Sequence, residues 1–237
     1  MLLPKIKRYL IPIRNLLAWF AFSCFVLSIL LVTIYKYLPV YSTPLMAIRY
    51  LQATFDTAAN SSQYKIQHQW QSLPLISKNL QLAVISSEDQ QFFNHYGFDF
   101  AAIKAAISHN NEGTSLRGAS TISQQSAKNV FLWPQRSWLR KGLETWFTIL
   151  IELIWDKQRI LEVYLNSIEM GDGVYGANAA AKHWFNTQAK HLTKQQSAAI
   201  AAILPNPRKY RANPASSYVK KRQRWILQQM RNNVLTP

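Results

Sequence analysis

The segment Leu16–Tyr35, LLAWFAFSCFVLSILLVTIY, runs for 20 residues without a charge. No other feature restricts the chain so strongly, because a helix of that length and polarity is what the hydrocarbon core of a bilayer requires. Lys5, Lys7, Arg8 and Arg14 precede it with no acid among them, and Lys36 follows. That basic excess places the N-terminus in the cytoplasm and the remainder across the membrane. Trp19, Tyr35 and Tyr37 lie toward the ends of the run, where amphipathic rings settle. A cleaved signal peptide fits less well. Its apolar stretch is about 7–15 residues long and closes on a small-x-small site, and Tyr35–Pro39 offers none.

The orientation decides how the charge is read. Lys and Arg number 27 against 11 Asp and Glu, a net +16. Four of the basic residues precede the span, so the external part holds 23 against all 11 acids and is still +12. Such a surplus asks for an anionic partner. On the far side of a membrane that partner is not chromosomal nucleic acid but lipid headgroups or a phosphorylated substrate. No acid follows Asp172, so the C-terminal stretch with Lys220, Lys221, Arg222 and Arg224 is expected near anionic headgroups. Cys24 is the sole cysteine, which excludes an internal disulfide framework and a cysteine zinc site. The five His show no H-x-x-x-H pair.

The pattern predicts a basic tail over 1–15, the span over 16–35, a stem over 36–75 and a globular domain over 76–237. Pro39, Pro44, Pro74 and the polar run Asn60–Gln63 mark the stem. Thr43 followed by Pro44 is a helix start. Only 7 Gly, with the domain rich in Ala, Leu, Ile and Gln, point to a mainly α fold. Leu80, Ala83, Val84 and Ser87 keep helical spacing, and Glu88 closes that face. Asp99 is placed to cap a helix burying Ile103, Ala106 and Ile107. Thr121 with Gln124, and Thr193 with Gln196, are capping boxes, the second helix ending at Pro205. One long helix is expected over 139–165, and 173–175 has room for a short bridge.

Three constellations carry chemistry. In the first, Glu88 and Asp89 follow an apolar helix. A carboxyl at a desolvated edge is a candidate acid or base, though a solvated helix end shows the same residues. In the second, Arg117 and Gly118 to Asn129 lead a small-residue turn into a helix whose free N–H groups suit an anion. Lys128 adds charge there, and Gln124 and Gln125 offer amides for sugar hydroxyls; a well-capped surface helix is the alternative. In the third, Arg136, Arg140 and Lys141 surround Glu144 on an apolar helix where Thr148 and Glu152 extend a polar stripe. That reads as a pyrophosphate site or as a surface ion pair of small worth. A fourth segment, Ile160 to Asn166 followed by the glycines of 171–176, reads as core and turns.

Together these segments resemble the peptidoglycan glycosyltransferases (glycosyltransferase family 51), the domain that polymerises lipid II, in detail its monofunctional branch in Gram-negative bacteria. The pattern E-D-x-x-F-x-x-H-x-G-x-D is met by Glu88, Asp89, Phe92, His95, Gly97 and Asp99. G-x-S-T-I-x-Q-Q-x-x-K-N is met from Gly118 to Asn129, R-K-x-x-E by Arg140, Lys141 and Glu144, and I-L-E-x-Y-L-N from Ile160 to Asn166. R-S-W-x-R-K-G-L-E at Arg136–Glu144 and L-P-N-P at Leu204–Pro207 belong to that branch. The K-T-G triad of the penicillin-binding transpeptidases carried by larger relatives is missing, and S-x-x-K at Ser62–Lys65 and Ser217–Lys220 is a chance-level match. Leu143 stands where some relatives carry Lys.

The resemblance implies a lysozyme-like larger lobe with a small membrane-proximal jaw lobe behind one transmembrane helix. It implies a hexosyltransferase in the inner membrane, with the catalytic domain periplasmic. The acceptor lipid II uses its GlcNAc 4-hydroxyl to attack C1 of MurNAc in a strand held on undecaprenyl diphosphate, giving a β-1,4 link. Glu88 and Glu144 are then the catalytic candidates, Glu88 as general base. Asp89, Ser120, Thr121, Gln124, Gln125, Lys128, Arg136, Arg140 and Lys141 are the substrate-binding candidates, the cations facing the leaving pyrophosphate. No cofactor is required; Mg or Mn held by Glu144 with the pyrophosphate is left open. Partners would be lipid II, the lipid-linked glycan, the membrane and other cell-wall synthesis or division proteins. Phe131–Pro134 with Trp138 is expected to dip into the outer leaflet face. The rivals are a lysozyme-like hydrolase or lytic transglycosylase, which needs no pyrophosphate-binding cations, and a non-enzymatic wall scaffold, which needs no Glu88.

Overall fold

The computed structural model describes residues 3–56, 65–111, 113, 118–135, 137–233 and 235. Asn60–Gln63, Arg117 and Arg136 of the sequence reading lie outside them. The chain divides into two compact units, Met1–Leu38 and Pro39–Pro237. The first is a single helix, α1 (Leu3–Tyr37). Within it Arg14–Tyr37, 24 residues of mean hydropathy 2.4, is long and apolar enough to cross a membrane.

The second unit opens with α2 (Pro44–Asp56), which the Thr43 hydroxyl caps by accepting from the Met46 N–H at 3.2 Å. Then follow β1 (Gln67–His68), α3 (Lys78–Glu88), α4 (Phe100–Asn111), α5 (Ile122–Phe131), α6 (Trp138–Ile154) and α7 (Lys157–Ser167). β2 (Glu169–Gly171), β3 (Val174–Tyr175), α8 (Ala177–Phe185), α9 (Lys194–Ile203) and α10 (Ser217–Asn232) complete it. The fold is mainly α, as expected.

The core is built around α9. Ser197 to Ile203 are all buried, and the alanines at 198, 199, 201 and 202 let neighbours approach closely. α3 and α10 pack on α9 and on each other, while α5 packs on α6 and α7. Both predicted capping boxes form, at Thr121 with Gln124 and at Thr193 with Gln196.

The small sheet has the order β1–β3–β2, with β1 parallel and β2 antiparallel to β3. It shows how the segment read as a stem joins the domain. Asn166 is fully buried and its amide donates to the Gln71 carbonyl while its Oδ1 accepts from the Gln71 N–H, both at 2.8 Å. Its own carbonyl bonds the His68 ring at 3.0 Å. Gly176 (φ +81°) must be glycine here, because a Cβ would lie 2.6 Å from that same carbonyl oxygen. The last residue of the I-L-E-x-Y-L-N pattern is thus a clamp on chain about 95 positions upstream.

Two expectations are corrected. The single helix over 139–165 is two helices. It breaks at Trp155, and Asp156 starts α7 by accepting the Arg159 N–H at 2.7 Å. The α4 stripe is only partly buried: Ala106 is inside but Ile107 is 57% exposed, because α4 stands at the surface. Asp99 does cap α4, accepting from the Ala102 N–H at 2.8 Å.

Candidate functional site

The site begins where α3 ends. Asp89 is the residue that terminates the helix, and its carboxylate is consumed locally. It accepts from His95 Nε2 at 2.9 Å and 3.0 Å and from the Ile122 N–H at 2.9 Å. The Thr121 hydroxyl donates to the Gly97 carbonyl at 2.6 Å. These bonds fasten the loop 89–99 to the first turn of α5. Phe92 is fully buried beneath it, with Lys157 Nζ 4.7 Å from its ring centroid. Asp89 and Thr121, both expected to bind substrate, are therefore buried ties of the scaffold. His95, Gly97, Asp99 and Phe92 shape the loop, as read from the sequence.

That fastening brings Glu88 against α5. Gln125 Nε2 donates to Glu88 Oε2 at 3.1 Å, and Gln125 Oε1 accepts from the Tyr164 hydroxyl at 3.2 Å. Burial holds the Tyr164 phenol well above its usual range, so it stays a donor and fixes which way the Gln125 amide points. The other Glu88 oxygen, Oε1, has no hydrogen-bond partner among the described residues, and Arg222 of α10 stands 3.8 Å from it. Burial raises the Glu88 carboxyl above the ordinary carboxylate range. The Gln125 hydrogen bond and the charges of Arg222 and Lys128 oppose that, and Asp89 adds to it. A desolvated carboxylate with one free oxygen is what proton abstraction from a hydroxyl needs.

Across α5 the polarity is reversed. Glu144 on α6 is only 3% exposed, and both its oxygens are engaged, Oε2 by Arg140 Nη1 at 2.9 Å and Oε1 by Lys141 Nζ at 2.5 Å. The stripe continues inward through Thr148, fully buried, to Glu152, which accepts from Ser123 and from Lys157. The polar face of α6 therefore faces the core, and its apolar outer face carries Trp138 at 91% and Leu153 at 77% exposure. Burial lowers the Lys128 ammonium from its ordinary value. The charges of Glu144 and Glu88 pull it back up, while Arg140 and Lys141 push it further down. Four charges crowded under a partly desolvated surface leave a net positive site.

A cavity of about 470 Å³ joins these elements. Ser120, Gln124, Gln125 and Lys128 line it from α5 and its approach, and Arg140, Lys141 and Glu144 from α6. The facing wall is Leu45 and Arg49 of α2, Glu169 of β2, and Leu204 with Pro207. Glu88 reaches the cavity through Gln125 and does not line it. Arg136 lies outside the described residues. Among the described residues no three of His, Cys, Asp and Glu gather to hold a metal. With both Glu144 oxygens taken by cations, this donor set does not fit a resident divalent ion.

Sequence reasoning missed Arg222, Arg49 and Glu169. Arg222 was grouped with the basic tail, yet it turns inward while Lys220, Lys221 and Arg224 are exposed. The segment Phe131–Pro134 also differs from expectation. Leu132, Trp133 and Pro134 line the cavity, and Phe131 stacks on Phe147 at 4.5 Å. Of that group Trp138 is the exposed ring.

Comparison with known proteins bears on the same residues. Residues 56–231 match the family model described as Transglycosylase. A biosynthetic peptidoglycan transglycosylase of Pseudomonas syringae pv. syringae (strain B728a) is 53% identical over 215 residues, covering 91% of this chain and 88% of that protein. Proteins of the same name are 51% identical in Stutzerimonas stutzeri (95% of this chain, 90% of the relative) and 49% in Shewanella oneidensis (92% and 93%).

Proposed function

The chain belongs to the transglycosylase family and is a peptidoglycan glycosyltransferase of cell-wall synthesis; we propose that it polymerises lipid II by an inverting, general-base route. The observation that carries the route is a desolvated carboxylate with an unbonded oxygen, Glu88, joined through Gln125 to the cavity that the cations Lys128, Arg140 and Lys141 line. Glu88 takes the proton of the acceptor's GlcNAc 4-hydroxyl as its oxygen bonds to C1 of the donor's MurNAc. The C1–oxygen bond to the diphosphate breaks on the opposite face, the α link becomes β-1,4, and undecaprenyl diphosphate leaves. Lys128, Arg140 and Lys141 neutralise that leaving charge as it develops. Glu144 holds Arg140 and Lys141 in place, and Ser120, Gln124 and Gln125 meet sugar or phosphate oxygens. No step runs through a metal.

We place α1 in the inner membrane with its N-terminus cytoplasmic, on the basic residues that precede it. The helices around α9 then form the larger, lysozyme-like lobe, with a small membrane-proximal jaw lobe beside it. Trp138, Leu139 and Leu153 lie toward the outer leaflet, where lipid-linked substrates arrive.

The test is incubation of the purified full chain with labelled lipid II in detergent micelles. Growth of glycan strands with release of undecaprenyl diphosphate is expected. Digestion of purified sacculi without strand growth would replace synthesis by hydrolysis, and neither activity would leave a scaffold.

A further inference from the structure

Behind the cavity lies a second set of buried polar side chains. Glu152 of α6 has a side chain only 7% exposed and is not among the residues that line the cavity. Its Oε1 accepts from the Ser123 hydroxyl of α5 and, at 2.8 Å, from Nζ of Lys157, the first residue of α7. Ser123 is fully buried. Lys157 also stands 4.7 Å from the ring centroid of Phe92, in the loop 89–99. The backbone of that loop rests on the same acid, for a Cβ at Gly97 would lie 3.0 Å from Glu152 Cγ. One carboxylate thus gathers α5, α6, α7 and the loop that follows Glu88.

These are the segments that hold the base. Glu88 precedes the loop, Gln125 lies on α5 two residues after Ser123, and Tyr164 lies on α7 about two turns after Lys157. The bonds Gln125 to Glu88 and Tyr164 to Gln125, at 3.1 and 3.2 Å, join them on one side of α5. Two positions along a helix turn it by about 200°, so Ser123 leaves α5 on the other side. Glu152 therefore joins the same pieces a second time, from behind. For cohesion alone an apolar side chain of that size would serve as well, since a buried ion pair seldom outdoes the hydrophobic group that could replace it. An apolar group lacks direction, whereas a hydrogen bond weakens steeply off its line. The Ser123 and Lys157 bonds fix how α5 is turned and how it is set against α7, and that setting decides where the Gln125 amide meets Glu88.

We propose that Glu152 is a positioning residue for the reaction: through Ser123 and Lys157 it sets α5 against α7 so that Gln125 reaches Glu88. The proposal rests on the reading of Glu88 as the base.

Ser123→Ala in the full chain tests it, because it cuts the tie to α5 and leaves the Glu152–Lys157 pair whole. The maximal rate of lipid II polymerisation should fall about tenfold, as a small misplacement at a reacting centre does, with the half-saturating lipid II concentration unchanged. Burial raises the Glu88 carboxyl, and the Gln125 bond is first among the influences that hold it down. With that bond weakened, the acid limb of the pH–rate profile should move to higher pH. So should the infrared titration of the Glu88 carboxyl band, read against Glu88→Gln as the blank. In a Gln125→Ala background Ser123→Ala should move neither, because the two act in series. If Ser123→Ala fails to fold, Ser123→Cys, with its weaker donor, carries the measurements. A lower melting temperature with limb and titration unmoved overturns the proposal, as does an equal further shift in the Gln125→Ala background. If Glu88→Gln polymerises at the parent's rate while Ser123→Ala still moves the infrared titration, the reading of Glu88 as base falls and the tie from Glu152 to that carboxyl stands.

Discussion

Glu88 and Glu144 are both buried carboxylates set against α5, and they are treated in opposite ways. Glu144 lies within one helix, with Arg140 and Lys141 one turn before it, and has no oxygen to spare. Glu88 sits at a helix end, has one amide donor at 3.1 Å, and keeps a cation 3.8 Å from an otherwise bare oxygen. Burial without pairing costs an ion dearly, and pairing offsets that cost only when geometry is good. The comparison therefore separates a carboxylate that organises charge from one that is held ready to take a proton.

The largest effect expected from this contrast is on rate. Glu88→Gln keeps shape and removes basicity, and should slow polymerisation of lipid II about a hundredfold to ten-thousandfold, the usual worth of a general base. It should not cost stability. Burial raises the Glu88 carboxyl above its ordinary 4.5, so the fold holds that proton more tightly than the unfolded chain. Stability is then lost as pH rises from the ordinary value through the folded one. At pH 7 the variant should melt at or above the parent temperature, with the advantage shrinking as pH falls toward 4.5. A melting temperature several degrees lower would make Glu88 a structural residue.

Glu144→Ala should show the converse. It strands Arg140, whose side chain is almost wholly buried, and should cost about 3 kcal/mol of unfolding free energy. That is the lower end for a broken buried pair, because Lys141 remains half in water. Urea unfolding measures it. A cost under about 1 kcal/mol would mean the pair is worth no more than a surface bridge.

Gly97 links the two regions. Its carbonyl takes the Thr121 hydroxyl, and a Cβ at its φ of +84° would lie 2.8 Å from Thr148 Cγ2, one turn beyond Glu144. Gly97→Ala should cost about 2 kcal/mol through strain and overpacking. It should also lower the polymerisation rate, since the loop that fixes Glu88 must shift. Parent-like activity with the expected loss of stability would detach Gly97 from the alignment of the two carboxylates.

What was legible in the sequence is what is local. Glu88 at the end of a periodic run, both capping boxes, and the Arg140–Lys141–Glu144 group are set by neighbours one helical turn apart. The break at Asp156 was legible too, since an Asp after an apolar run is an N-cap signal, but the continuous apolar pattern hid it. Arg222 was not legible. It reaches Glu88 across 134 positions because α3 and α10 pack together and on α9, and nothing in the run Lys220–Arg224 separates the inward side chain from the outward ones. Arg49 and Glu169 both line the cavity and were hidden for the same kind of reason, since Arg49 arrives there through the packing of α2 on α5 and Glu169 from β2.

The smallest effect belongs to Arg222, and it refines the account of Glu88 most finely. The base works only when ionised, so the rate falls as pH drops through the Glu88 carboxyl's folded value. The Arg222 charge helps to hold that value down, second to Gln125 among the groups that do. Arg222→Ala removes that help, the carboxyl rises further, and the acid limb of the pH–rate profile should move to higher pH with the plateau little changed. Arg222→Lys keeps a charge nearby and should move the limb less. If Arg222 instead grips a substrate anion, the alanine variant should raise the half-saturating lipid II concentration at every pH and leave the limb where it was. The two outcomes assign the cation either to the base or to the substrate. At 3.8 Å Arg222 is near enough to act on the Glu88 charge without bonding its oxygen, whereas Arg140 closes on Glu144 to 2.9 Å.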